Sequence, residues 1–188
     1  MGKLIFRTLL FVIWAALITS CMYYSMAGSI PAHINSIAIP IVENQTAEFG
    51  MSESVTENLL VKFNEENILR VTDEDQATSI LRGTITRVSD APYTFTKEEA
   101  VTEYRFTVHM KVEWYDVRED KNLLEKSFSG WGAYGLSGDI SSDAIDNDGD
   151  GLIDGEDDDE FGDPREFATT VAVTKIAEDV LNEIMTSW

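Results

Sequence analysis

The stretch YRFTVHMKVEW, Tyr104–Trp114, alternates without a break. Tyr104, Phe106, Val108, Met110, Val112 and Trp114 share one side, and Arg105, Thr107, His109, Lys111 and Glu113 share the other. A two-residue period is the signature of a β-strand with one dry face and one wet face. Antiparallel sheets allow that asymmetry, whereas parallel sheets are buried on both faces. The stretch therefore predicts a mostly antiparallel sheet, covered on one side only.

On either side of it lie partners for pairing. ATSILRGTITRVSDAPYTFT, ending at Thr96, reads as the preceding strand, with Pro92 marking an end or bend. DVREDKN makes a turn, and LLEKSFSGWGAY, Leu123–Tyr134, completes a hairpin. Further upstream, SIAIPIVEN sets Ile37, Ile39 and Ile41 in alternation, and Pro40 predicts an edge position or a bulge. SESVTENLLVKFNEEN reads as a helix. Its Ser54 and Glu57 have capping-box spacing, Val55, Leu59, Leu60 and Phe63 form its apolar side, and Asn67 closes it before the short strand ILRVT.

DPREFATTVAVTKIAEDVLNEIM begins a second helix. Asp163 is its N-cap, Pro164 takes the first turn, Glu166 completes the box, and Val173, Ile176, Ala177, Val180 and Ile184 make the stripe. Two amphipathic helices need one apolar surface to cover. The expected fold is α+β, a two-layer sandwich in which both helices pack on one face of a four- to five-stranded, mostly antiparallel sheet.

The N-terminus predicts the address. Lys3 and Arg7 precede an apolar run from Leu9 to Ile18, too short for the roughly 20 apolar residues of a spanning helix. It reads as a secretory signal over residues 1–20, and Ile18-Thr19-Ser20-Cys21 has the form of a bacterial lipobox. Cys21 is the sole cysteine, so no disulfide competes for the thiol, and lipidation is its expected fate. Two or three acyl chains, each buried CH₂ contributing about 0.8 kcal/mol, anchor a protein durably. Met22 and Tyr23 follow, with no aspartate beside the cysteine, which in enteric-type bacteria favours the outer membrane. Residues 21–35 then read as a lipidated tether, up to ~50 Å long at about 3.3 Å per residue. Residues 36–188 form a single domain facing the periplasm.

Charge is unevenly spread. The net charge is −20, and residues 139–163 hold twelve acidic side chains and no Lys or Arg. Nucleic acid as a partner is excluded by that balance, since it requires a basic patch. A run confined to one segment marks an insertion into an ordinary domain. Within it, DNDGDGLIDGED has calcium-loop spacing. Asp146, Asp148 and Asp150 stand at positions one, three and five, and Gly151 makes the sharp turn at six. Leu152 offers its carbonyl at seven, Asp154 stands at nine and Asp157 at twelve. Hard oxygen ligands without His or Cys select calcium. Aspartate in place of the usual terminal glutamate, and flanks without helical period, make the loop similar to those of dockerins and thrombospondin-type repeats.

No catalytic set emerges. His33 and His109 read as surface residues, Glu98 and Glu99 as a solvated turn, and no phosphate-binding glycine loop follows a strand. The expectation is a non-enzyme.

Four segments carry a family resemblance. CMYYSMAGSIPAHINSIAIPIVENQTAEFGMSESVTENL, LRGTITRVSDAPYTF, EYRFTVHMKVEWYD and FSGWGAY resemble the LptE family of lipopolysaccharide-assembly lipoproteins, everywhere except about 136–163. The resemblance implies a small sheet with two helices on one face. It implies a plug in the lumen of the outer-membrane barrel LptD, assisting the barrel's assembly and the passage of lipopolysaccharide to the cell surface, with Cys21 holding the plug to the inner leaflet. Some members are thought to touch lipopolysaccharide phosphates through basic residues. No position here matches those, and Arg82, Arg87, Arg105 and Lys111 are simply the basic residues in strands. Two other readings stand beside this one: a calcium-dependent interaction or adhesion lipoprotein, and a periplasmic scaffold that activates a cell-wall enzyme.

Overall fold

The computed structural model describes residues 30–135 and 163–186. Its elements are β1 (Ser36–Ala38), β2 (Glu43–Asn44), α1 (Met51–Glu66), β3 (Arg70–Val71), β4 (Ser79–Phe95), β5 (Val101–Asp116), β6 (Lys121–Gly135) and α2 (Pro164–Thr186). The sheet runs β3-β1-β4-β5-β6, with β2 also paired to β4. The three long strands form an antiparallel meander, while the short β1, β2 and β3 pair in parallel at one side. The α+β class and the two helices agree with the sequence reading, although the described sheet has six strands.

Proline sets two details. β1 and β2 form one interrupted line along β4: Glu43 stands five positions after Ala38, while their partners Ile80 and Thr84 stand four positions apart. Pro40, which has no N–H to donate, lies in that extra step. Pro92, expected to end or bend its strand, does less. β4 continues through it to Phe95 and answers with a register shift between Pro92 and Thr94. A bulge absorbs the missing donor.

The first helix also begins earlier than its capping-box spacing predicts. It starts at Met51, after Gly50 in the left-handed region at φ 75°, and the Ser54 amide already donates to the Gly50 carbonyl at 3.0 Å. Met51, Val55, Leu59 and Phe63 are its buried residues, one every four positions. Starting at Ser54 would strand Met51 outside that row. The row wins over the cap. Asn67 does end the helix, left-handed at φ 48°, with its N–H on the Phe63 carbonyl. At α2, Asp163 caps as expected, its Oδ1 accepting from the amides of Arg165 (2.9 Å) and Glu166 (3.1 Å).

Between helices and sheet lies one core, containing Phe106, Val108, Met110, Val112 and Trp114 of β5 with Ile37, Phe63, Ile176 and Ile184. Each such side chain contributes roughly 1.5–3 kcal/mol through burial. The second helix reaches β6 at backbone distance. A Cβ added at Gly130 would stand 2.9 Å from the Ala172 carbonyl carbon, and one at Gly132 would stand 2.7 Å from the Ala168 Cα. Glycine facing alanine lets the helix settle that close. Between the helices, Thr174 donates to Asn58 Oδ1 at 3.1 Å and Lys62 pairs with Glu178 at 3.2 Å. No helix among the described residues is long and apolar enough to cross a membrane.

Candidate functional site

Because both helices occupy one face, the other face of the meander is open among the described residues. β5 presents Glu103, Arg105, Thr107, His109, Lys111, Glu113 and Tyr115 there, each half-buried. The register sets Arg82 opposite Glu113, Thr84 opposite Lys111 and Arg87 opposite His109. All four basic strand residues singled out in the sequence thus come together on this face.

Lys111 and Arg87 each find polar partners on this face. Lys111 Nζ reaches Glu113 at 2.8 Å and Glu125 at 2.7 Å. Hydrogen bonds to Glu113 and Glu125 raise its pKa, and the same contact lowers that of Glu125. Arg87 Nη2 lies 3.0 Å from His109 Nε2. Burial first, and the Arg87 charge second, hold His109 below its ordinary value of 6.5. The ring is therefore neutral at physiological pH and accepts from the guanidinium.

Arg105 solves its problem differently. Its guanidinium stands 3.9 Å from the Trp131 ring centroid and 5.1 Å from that of Tyr93. Its buried Nε has no hydrogen-bond partner, so aromatic faces take the role of counter-charge. At the other end, Pro40, Ile41, Glu43, Arg82, Lys111 and Glu113 are among the residues lining a polar cleft of about 390 Å³. An open face of this kind can recognise a polar surface.

Two constellations went unseen in the sequence. At the rim of the core, Arg165 donates from Nε to Asp90 (2.8 Å) and from Nη1 and Nη2 to Glu48 (3.0 and 3.2 Å), and stacks over Phe106 at 4.9 Å. The Tyr134 hydroxyl donates to the same Asp90 at 2.8 Å. Burial, and then the bond to Asp90, push the Tyr134 pKa up to about 12. Residues 48, 90, 134 and 165 share no motif, so only the fold reveals them.

The second contradicts a surface reading for His33. That side chain is 18% exposed and its Nε2 lies 2.6 Å from Oδ2 of the fully buried Asp116. Nearby Ile34 is buried, so the last residues of the expected tether already pack on the domain. One signal was available: Asp116 continues the buried phase of β5, where a carboxylate needs a partner. His109 lies on the open face as expected, and Glu98 and Glu99 lie in the exposed β4–β5 turn. Cys21 and the loop positions Asp146, Asp148, Asp150, Leu152, Asp154 and Asp157 lie outside the described residues.

Comparison with known proteins places this architecture. Protein XCC0632 from Xanthomonas campestris is similar in fold, with a TM-score of 0.53 at 9% identity, over 83% of this chain and 88% of that one. Rare lipoprotein B from Shewanella oneidensis gives a TM-score of 0.37 at 11% identity, covering 80% of this chain and 92% of its own. Lipoprotein GNA1162 from Neisseria meningitidis gives 0.41 at 13% identity, covering 53% and 83%. No curated protein matches the chain. The family model described as LptE, lipopolysaccharide-assembly, matches residues 34–186, which takes in every described strand and both helices. The chain belongs to the LptE family of lipopolysaccharide-assembly proteins.

Proposed function

We propose that this protein is a lipid-anchored, non-catalytic plug of the outer membrane, seated in an LptD-type β-barrel and assisting both its assembly and lipopolysaccharide transport. The observation that carries the reading is the family match across residues 34–186, which covers the framework and not one isolated motif. The open face supports it. Lys111 is bridged by Glu113 and Glu125, and Arg105 is held by aromatic rings, so this surface suits the polar lumen of a barrel. On this reading Cys21 is acylated and holds the domain at the inner leaflet, facing the periplasm. Asp146, Asp148, Asp150, Leu152, Asp154 and Asp157 hold calcium, which neutralises the acidic stretch and has a supporting role.

Affinity capture of the tagged protein from outer-membrane extracts tests the proposal. The expected result is co-purification of a large β-barrel together with lipopolysaccharide; recovery of the protein without a barrel rejects it. Deleting residues 138–162 separates the plug from the adhesion reading. A plug keeps its barrel, whereas a calcium-dependent adhesin loses its partner.

A further inference from the structure

The His33–Asp116 contact joins the turn before β1 to the end of β5, and a third donor stands beside it. Glu119 lies in the β5–β6 turn, and one ligand atom from each of His33, Asp116 and Glu119 falls within 4.8 Å of the other two. Asp116 is completely buried. Its Oδ1 accepts from the amides of Arg118 (2.9 Å) and Glu119 (3.1 Å), which fixes the carboxylate and leaves Oδ2 turned toward His33 Nε2. An outer shell of amides orienting a ligating carboxylate is how metal sites are commonly built.

We propose that His33, Asp116 and Glu119 form a binding site for a divalent transition metal of the zinc class. One imidazole nitrogen and two carboxylate oxygens suit zinc, and water completes the tetrahedron. The three exposures are graded. Asp116 is sealed, His33 is mostly covered, and the Glu119 side chain is 46% exposed, so the ion enters from the Glu119 side. Donors around four-coordinate zinc, bound at about 2.0–2.2 Å, stand somewhat over 3 Å apart. The ion therefore takes the place of the proton between His33 and Asp116, and Glu119 swings in from its ion pair with Lys121. That surface pair is cheap to release. The bound ion would clasp the root of the N-terminal segment to the end of β5, 83 residues away in sequence.

The test titrates zinc, and cobalt(II) as its visible reporter, into the purified full chain in detergent. Calcium at about 1 mM fills hard-oxygen sites elsewhere. The expected result is one further equivalent of cobalt with the intense visible absorption of a four-coordinate ion, displaced by zinc. His33→Ala and Glu119→Gln should each weaken binding by at least about tenfold. Because Glu119 is exposed, its variant keeps the fold, which circular dichroism checks, and it decides the matter if His33→Ala unfolds. Absence of a zinc equivalent, or zinc affinity unchanged in Glu119→Gln, overturns the proposal.

Discussion

Phe106, Val108, Met110, Val112 and Trp114 point from β5 into the helices and are wholly excluded from water. Their neighbours Arg105, Thr107, His109, Lys111 and Glu113 point the other way, and none is fully buried. The same ten residues thus obey two rules. On the helical side shape decides, down to two glycines that accept helix backbone. On the open side charge decides, through ion pairs and cation–aromatic stacking that hold their geometry while solvated. Changes to the first should cost stability, and changes to the second should cost recognition.

Trp114→Ala gives the widest separation, with an expected loss of about 3–5 kcal/mol from cavity formation, read as a fall in the urea midpoint at constant slope. Gly130→Ala comes next. Its methyl would overlap the Ala172 carbonyl and Ile176, lifting α2 for about 1–3 kcal/mol, and a neutral result would show that the close approach is not required.

Tyr134 probes the rim. Its folded-state pKa is raised, so its contribution is complete below its ordinary value of 10.0 and is lost as pH climbs through about 12. Stability should fall across that alkaline window, and Tyr134→Phe should remove both that component of the fall and one late phenolate transition in the ultraviolet. The smallest stability change is expected from Lys111→Gln on the open face. The denaturation midpoint should stay in place while barrel capture drops, and unchanged capture would break the assignment of this face to recognition.

The sheet was legible because Tyr104–Trp114 writes its two faces in strict alternation, and the partner strands follow from turn residues on either side. Helix ends were less so. Ser54 and Glu57 satisfied a local rule, yet Met51 belongs to the buried row and moved the start to its own position, after Gly50. Pro92 read as an end or a bend because a missing donor is a local fact, and which of the two occurs depends on the paired strand. Among the site residues, the charged positions of β5 were visible in phase. That Lys111 would be shared by Glu113 and Glu125, or Arg105 stacked on Trp131, depends on cross-strand register. The Arg165–Glu48 pair, 117 residues apart, had no sequence signal at all.

Tyr134 and Arg165 grip one carboxylate, Asp90, from opposite sides of the 27 residues numbered 136–162. Whatever that length of chain does, its two feet are stapled to the same stone. Closing a loop from a fixed base costs only about 0.6 kcal/mol for each doubling of its length. Asp90 therefore fixes a base from which chain of differing length can leave and re-enter the same domain.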